Sequence, residues 1–340
     1  MVNIGLVGLG AITRAHLNAF VENELVGWVK AFDPSEEARA SAAAEFGIIK
    51  ETFDSIDPLL EDESISIIDI CTPHYLHKPQ AIAALQAGKH VILEKPMALS
   101  VEECDEMSAV AKETGKRIFV ALCMRSFPAH IKAKELMDAG AIGRPFLGVI
   151  NVYGNEMGRM HDPDSWKGDW AKAGGGVLFD TGYHAVYMLQ HFFGQATAIT
   201  ARTPRLLVEA ENKADDVSAV ALDLPGPALG SIVCTYGATG DKWTEERRIV
   251  GTDGSLFIRD DAEDGAPLML LRRDSAEPIK VATPLFTHPY GIARTLDHFL
   301  DCIVNDKPET ITVAEARAAV ATCQAAYVSD KEARRVDIPG

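Results

Sequence analysis

Paired cysteines, excess positive charge and long apolar runs are all missing from this sequence. Its six cysteines (Cys71, Cys104, Cys123, Cys234, Cys302 and Cys323) are widely spaced and form no CxxC pair. That excludes a zinc knuckle or a disulfide frame and predicts reduced, mostly buried thiols in a cytoplasmic protein. Acidic residues outnumber basic ones by 49 to 33, for a net charge of −16. A phosphate backbone would be repelled, so nucleic acid and anionic membranes are excluded as partners. The N-terminal apolar stretch is strand-length, broken by glycines and not preceded by a basic segment, which predicts neither a signal peptide nor a membrane span. Internal repeats and low-complexity segments are absent as well.

What remains is a 340-residue chain with 47% hydrophobic and 24% charged residues. That is an ordinary soluble composition, with length enough for two cores. The stretch Asn3–Pro34 organises the first of them. A short apolar run, Ile4 to Val7, meets Gly8 and Gly10, a helix-compatible segment follows at once, and a second apolar run ends on Asp33, 25 residues after Gly8. This reads as strand, tight turn, helix and strand with a carboxylate at the second strand's tip, the pattern of a dinucleotide site. Gly8 permits the turn, Gly10 allows close approach of a pyrophosphate, and the N–H groups at the helix start (Ala11, Ile12) face its oxygens. The third small position of the fingerprint is Thr13. Asp33 suits both ribose hydroxyls and opposes a 2′-phosphate: at about 4 Å the repulsion is about 4 kcal/mol for an effective dielectric of about 20. The residue after it is Pro34, not a basic group, so the expected cofactor is NAD.

Strand-like and helix-like stretches alternate through residue 123, with continuous Val/Ile/Leu strands at Ser66–Cys71, His90–Leu93 and Arg117–Leu122. Such runs predict a parallel, doubly wound sheet covered on both faces. From Met124 the character changes. A helix at Ala129–Ala139 leads to a longer strand at Pro145–Tyr153, then a polar Trp-bearing loop, the triplet Gly174-Gly175-Gly176 and a helix over Val177–Phe193. Strand-like runs separated by turn residues follow. The expected architecture is α/β: a Rossmann domain over residues 1–123, and a substrate-binding and oligomerisation α+β domain over 124–340 built on a large, mostly antiparallel open sheet. The acidic stretch Asp260–Asp264 reads as a solvated turn.

Polar groups that a simple core does not need stand at three places: Cys71-Thr72-Pro73-His74-Tyr75-Leu76-His77, Glu94-Lys95-Pro96, and Asp180 with His184. The last two are four apart and share one helix face. Oxidising an alcohol requires a base for the hydroxyl proton and positive charge near the developing alkoxide. His184 suits the base, Lys95 the cation, and Asp180 can hold either the imidazole or a substrate hydroxyl. His74 and His77 form an HxxH pair without further ligands, so no metal is expected. His191, beside Phe192-Phe193, reads as packing. Trp166 and Trp170 suit either packing or stacking on a sugar ring.

Taken in order, Gly8-Leu9-Gly10 with His16, Thr72-Pro73-x-x-x-His77, Glu94-Lys95-Pro96, Arg125-x-Phe127-Pro128 and Gly174-Gly175-Gly176-x-x-x-Asp180-x-Gly182-x-His184 resemble the Gfo/Idh/MocA family of oxidoreductases. The resemblance spans nearly the whole chain, down to Val336-Asp337-Ile338-Pro339. It implies a cofactor surface of Gly8, Gly10, Ala11, Ile12, Asp33, Thr72, Pro73, His77, Glu94 and Lys95, and a catalytic set of Lys95, Asp180 and His184 with the histidine as base. It implies substrate contacts from Lys95, Arg125, Trp166, Asp180 and His184, a proline at 96 that is often cis, and a homodimer or homotetramer built through the C-terminal sheet. Position 187 is Tyr where many members carry Asp. The implied activity is NAD-dependent oxidation of a sugar or cyclitol hydroxyl, either an aldose such as a pentose or apiose to a lactone or a ring secondary alcohol to a ketone. Two other readings keep the fold: a tightly bound NAD used transiently, and a nucleotide-sensing protein with a dead site.

Overall fold

Short runs of branched aliphatic residues, buried on both faces, pair side by side in the first part of the chain. The computed structural model describes residues 1–208, 214–240, 243–259, 266–275, 277–283 and 288–339, and the acidic stretch Asp260–Asp264 lies outside them. Within these residues the parallel sheet comprises β1 (Val2–Val7), β2 (Val26–Phe32), β3 (Ile49–Phe53), β4 (Ile67–Ile70), β5 (His90–Leu93) and β6 (Ile118–Val120). Its order is β3-β2-β1-β4-β5-β6. The order reverses between β1 and β4, so ligands belong at the carboxyl ends of those strands. Helices fill the crossovers. The one at Glu36–Glu45 starts where Ser35 accepts a hydrogen bond from the Ala38 N–H, with Glu36 and Glu37 in its first turn, both favourable at a helix N-terminus. Strand β3 carries Lys50-Glu51-Thr52 at its centre and lies at the sheet edge. That polar centre hides it from a reading based on apolar runs.

The compact unit around this sheet contains Met1–Cys123 and also His288–Arg317, so the first domain is not one contiguous stretch. The helix Thr13–Glu22 packs on the helix His288–Val304, and Asn23 donates to Asp297 at 2.6 Å. The Arg117 guanidinium donates to the carbonyls of Cys302 and Lys307 and to the Glu309 carboxylate. An amphipathic terminal helix announces that one face is covered without saying by which sheet.

The second unit, Met124–Thr287 with Ala318–Gly340, is built on β7 (Pro145–Tyr153), β8 (Ala198–Arg202), β9 (Val217–Asp223), β10 (Leu229–Thr235), β11 (Thr244–Gly251), β12 (Gly254–Arg259), β13 (Leu268–Arg272), β14 (Ile279–Val281) and β15 (Val336–Asp337). Among the described residues they form one sheet, ordered β14-β13-β12-β11-β7-β10-β9-β8-β15. Every pairing is antiparallel except β10 with β7. Burial alternates along β9 and β10, the signature of a sheet covered on one face. The covering helix, Gly182–Phe193, lies on β7 and β10.

The helix expected over Val177–Phe193 is two pieces, Val177–Asp180 and Gly182–Phe193. The break at Thr181 combines a β-branched residue with the following glycine, both poor helix formers. The Thr181 hydroxyl is drawn to Tyr236 Oη at 2.9 Å.

Candidate active site

In the first unit the glycine turn leaves β1. Gly8 sits at φ +91°, and a Cβ there would come within 2.9 Å of Thr72 Cγ2 and 3.0 Å of the Cys71 carbonyl. Both the left-handed backbone and the close approach require glycine. A Cβ built on Gly10 meets nothing within 4 Å. Among the described residues no protein acceptor meets the N–H groups of Gly10, Ala11 and Ile12, which stand before the helix Thr13–Glu22. Donors without acceptors, open space and a helix N-terminus fit a pyrophosphate. Asp33 directly follows β2 and is pinned: Oδ2 accepts from the Leu9 N–H and Oδ1 from the Ser35 N–H, each at 2.8 Å. Each carboxylate oxygen keeps a second lone pair for a ribose hydroxyl. Arg39, a cation the sequence reading did not weigh, donates to the Asp33 backbone carbonyl at 2.6 Å. A cavity of about 310 Å³ adjoins the turn, lined by Gly10, Thr13, Arg14, Ser35, Ser41 and Phe46 among others. It lies between the helices Thr13–Glu22 and Glu36–Glu45 and contains none of the expected catalytic residues.

The turns after β4 and β5 are stapled together by His77. Its Nδ1 lies 2.8 Å from the Pro96 carbonyl and its Nε2 2.9 Å from that of Thr72. Burial pushes the ring's pKa below the ordinary histidine value, so a neutral ring donates to one of the two carbonyls at a time. Both nitrogens are thus committed to backbone, and His77 holds the Thr72-Pro73 and Lys95-Pro96 turns together. The Lys95–Pro96 bond is cis. Glu94 Oε2 accepts from the Lys95 N–H at 3.2 Å, and Glu94 Oε1 lies 3.1 Å from His16 Nε2.

In the second unit a buried carboxylate that the sequence reading passed over sets the Gly174–Gly176 segment. Asp215 Oδ1 accepts from the Gly176 N–H and the Tyr327 hydroxyl, Oδ2 from the Leu178 N–H and the Ser218 hydroxyl, and its carbonyl from the Val177 N–H. Burial pushes the Asp215 carboxyl above the usual range, and the same four side-chain-directed hydrogen bonds pull it back. The three N–H groups that open the helix Val177–Asp180 are therefore satisfied by a residue 35 or more positions away. Asp180, at that helix's end, is 8% exposed. Its Oδ2 accepts from the Lys167 ammonium and from the Tyr236 hydroxyl, each at 2.7 Å. Burial, then the Asp180 charge, keep the Tyr236 phenol well above its ordinary pKa. Tyr236 thus stays protonated, and Thr181 donates to its oxygen.

His184 is also buried, in the first turns of Gly182–Phe193. Its Nδ1 is 2.8 Å from Tyr187 Oη, and the Met124 N–H reaches the same oxygen at 3.2 Å. The alternative histidine on that helix, His191, is held to a pKa of about 3 by burial, then by Arg125 and Lys134, which disqualifies it as a base near neutrality. Arg125 lies in the turn Cys123–Ser126 and Trp166 in the turn Trp166–Gly168. Trp170 packs edge-on against Tyr327. Lys167 and Tyr236 are the residues of this cluster that sequence reasoning gave no role, and Tyr187 stood out there only as the residue where many family members carry Asp. Tyr187 at i+3 from His184 carried the one available signal.

Residues 2–122 match the family model described as an oxidoreductase family with an NAD-binding Rossmann fold, and residues 130–257 match the Gfo/Idh/MocA C-terminal domain. Levoglucosan dehydrogenase of Pseudarthrobacter phenanthrenivorans is 29% identical over 323 residues, covering 85% of this chain and 82% of that protein. The scyllo-inositol 2-dehydrogenase (NAD(+)) of Bacillus subtilis is 27% identical over 326 residues, covering 93% and 90%. A structure of levoglucosan dehydrogenase in complex with NADH and levoglucosan matches with a TM-score of 0.91 at 25% identity, covering 100% of both chains. The chain belongs to the Gfo/Idh/MocA family of oxidoreductases, and its first 122 residues carry the family's NAD-binding Rossmann fold.

Proposed function

We propose that this protein is an NAD-dependent dehydrogenase that oxidises a hydroxyl of a neutral sugar or cyclitol, with His184 as the base and Lys95 beside the reacting oxygen. The carrying observation is the Lys167–Asp180–Tyr236 cluster, whose Asp180 stands four residues before an anchored imidazole. An ammonium and a carboxylate in contact offer donors and acceptors at zero net charge, which suits hydroxyl groups better than a sugar acid. Levoglucosan and scyllo-inositol, named for the two relatives, are uncharged polyols.

Bound NAD supplies the hydride acceptor. His184 takes the hydroxyl proton on Nε2, which requires Nδ1 to carry its own proton and donate it to Tyr187 Oη. That oxygen then accepts from His184 and from Met124, the two lone pairs a phenol has. Lys95 stabilises the oxygen as it gains negative charge. Asp180, fixed by Lys167 and Tyr236, accepts from a neighbouring substrate hydroxyl. A panel of neutral aldoses, inositols and sugar acids, followed by nicotinamide absorbance with NAD and NADP, tests the reading. Turnover is expected with neutral compounds and NAD, and preference for the acids would overturn it.

A phenol stabilises an imidazolium less than a carboxylate does. Tyr187→Asp is therefore expected to raise the base's pKa and move the acidic limb of the kcat/KM profile to higher pH. Tyr187→Phe, which removes the acceptor, is expected to lower kcat about 10-fold, the worth of one hydrogen bond of about 1.4 kcal/mol. A profile unmoved by either variant would remove Tyr187 from the mechanism. Asp33→Ala is expected to weaken NAD more than NADP in a fluorescence titration, and equal losses would count against the ribose contact.

The open face of the second sheet supports a homodimer or homotetramer. It presents Leu147, Val149, Val233 and Phe257, all partly exposed in the single chain. Equilibrium sedimentation is expected to give a multiple of 36.8 kDa, and a monomer at working concentration would refute it. Six free, buried cysteines favour the cytoplasm, and no helix among the described residues is long and apolar enough to cross a membrane.

A further inference from the structure

Behind the β5 exit lies a group of titratable side chains that the mechanism above does not use. His16, from the helix Thr13–Glu22, and Asp69, from β4, are fully buried. His16 Nδ1 is 2.8 Å from Asp69 Oδ2, and its Nε2 is 3.1 Å from Glu94 Oε1. Cys71 Sγ approaches the same Nδ1 at 3.5 Å and Asp69 Oδ2 at 3.9 Å. Phe20 packs nearly perpendicular to the His16 ring, with centroids 6.3 Å apart. Ionised carboxylates only accept hydrogen bonds, and a neutral imidazole has a single N–H. Two carboxylates at hydrogen-bond distance from the two ring nitrogens therefore call for an imidazolium. A buried cation of this kind persists only when it is paired on both sides, and here it is.

We propose that His16, kept charged by Asp69, is a positioning residue that fixes Glu94 and, through the Glu94–Lys95 backbone hydrogen bond, the presentation of the Lys95 ammonium. The inference rests on the reading of Lys95 as a catalytic residue. The chain of contacts runs Asp69 to His16 to Glu94 Oε1, then from Glu94 Oε2 to the Lys95 N–H, so one rigid line crosses from β4 to the end of β5. Its charges are minus, plus and minus, which leaves one net negative charge beside the turn that carries Lys95. Although burial opposes a charged ring, the flanking Asp69 carboxylate holds the His16 pKa well above the ordinary histidine value. Burial lifts the Cys71 thiol to about 12, so it stays an S–H donor to Asp69.

The same three atoms from His16, Asp69 and Cys71 could ligate a cation. A protonated thiol and a ring whose nitrogens both face carboxylates argue for hydrogen bonding instead.

The test uses the full-length protein with 15N-labelled histidine. The His16 ring is expected to remain protonated on both nitrogens across neutral and mildly alkaline pH without dinucleotide, and to titrate in that range in Asp69→Asn. A ring that is neutral at pH 7 in the unaltered protein overturns the proposal, as does a stoichiometric metal found by elemental analysis. In turnover assays Asp69→Asn and the less buried Glu94→Gln are each expected to lower kcat about 100-fold, the effect of a misplacement of about 1 Å. Their KM values for the polyol should change little, the melting temperature of Asp69→Asn should fall with the loss of a buried charge partner while the variant stays folded at assay temperature, and its kcat–pH profile should gain a new limb. Folded variants with unchanged kcat and profile refute the positioning role. If the unaltered protein oxidises no polyol, the dehydrogenase reading fails by itself, while the nitrogen signals still decide whether His16 is the charged link.

Discussion

Replacing Lys95 or His184 with alanine is expected to cut kcat by about 10²–10⁴-fold, the range that a lost general base or its electrostatic partner produces, while NAD still binds. The reason lies in what each group does. On the proposed roles, removing His184 takes away the group that accepts the hydroxyl proton, and the other histidine on that helix, His191, held near 3, does not replace it. On the same proposal, removing Lys95 takes away the cation beside the developing negative charge. Most of the residues expected to hold the dinucleotide, the glycine turn and Asp33 among them, are untouched by either substitution, so binding should weaken far less than turnover. The check is steady-state turnover alongside NADH fluorescence titration. Near-normal kcat in either variant would reassign the roles.

The second large effect concerns stability. Gly176→Ala places a Cβ 1.8 Å from the Asp215 carbonyl oxygen and 2.5 Å from its nitrogen. The neighbour is backbone, so nothing flexible can yield. The segment must move, and the N–H groups of Gly176, Val177 and Leu178 then lose their shared acceptor in a buried site. A loss of about 3 kcal/mol or more is expected from overpacking together with broken buried hydrogen bonds, measured by denaturant unfolding, and activity should fall because Asp180 ends the same short helix. Gly47→Ala is the control: a Cβ there meets nothing within 4 Å, and little change is expected. Equal stability of the two variants would show that the close approach is not a constraint.

What could be read before the structure was local chemistry. The glycine turn, Asp33 and Glu94-Lys95-Pro96 each declare themselves within a few neighbours, and the alternation of apolar runs was enough for the two sheets apart from the edge strand β3. Partners brought from a distance were not legible. Nothing in the sequence near Asp180 points to Tyr236, 56 residues on, and Asp215-Asp216 looks like a polar turn until the strand it begins carries it under Gly176. Nor did the His288–Arg317 segment reveal that it joins the first unit, because an apolar helix face is the same whichever sheet it covers. The Asp180/His184 spacing suggested one helix, whereas Thr181 divides it and Tyr187 meets the imidazole.

The central claim is that Lys95 and His184 act on one carbinol. A double-mutant cycle in kcat, with any neutral polyol the enzyme accepts, tests it most directly. Groups that work as a unit are strongly non-additive, so Lys95→Ala/His184→Ala is expected to be no slower than about the worse single variant. Losses that multiply independently, or a single variant that turns over at the unaltered rate, would contradict it.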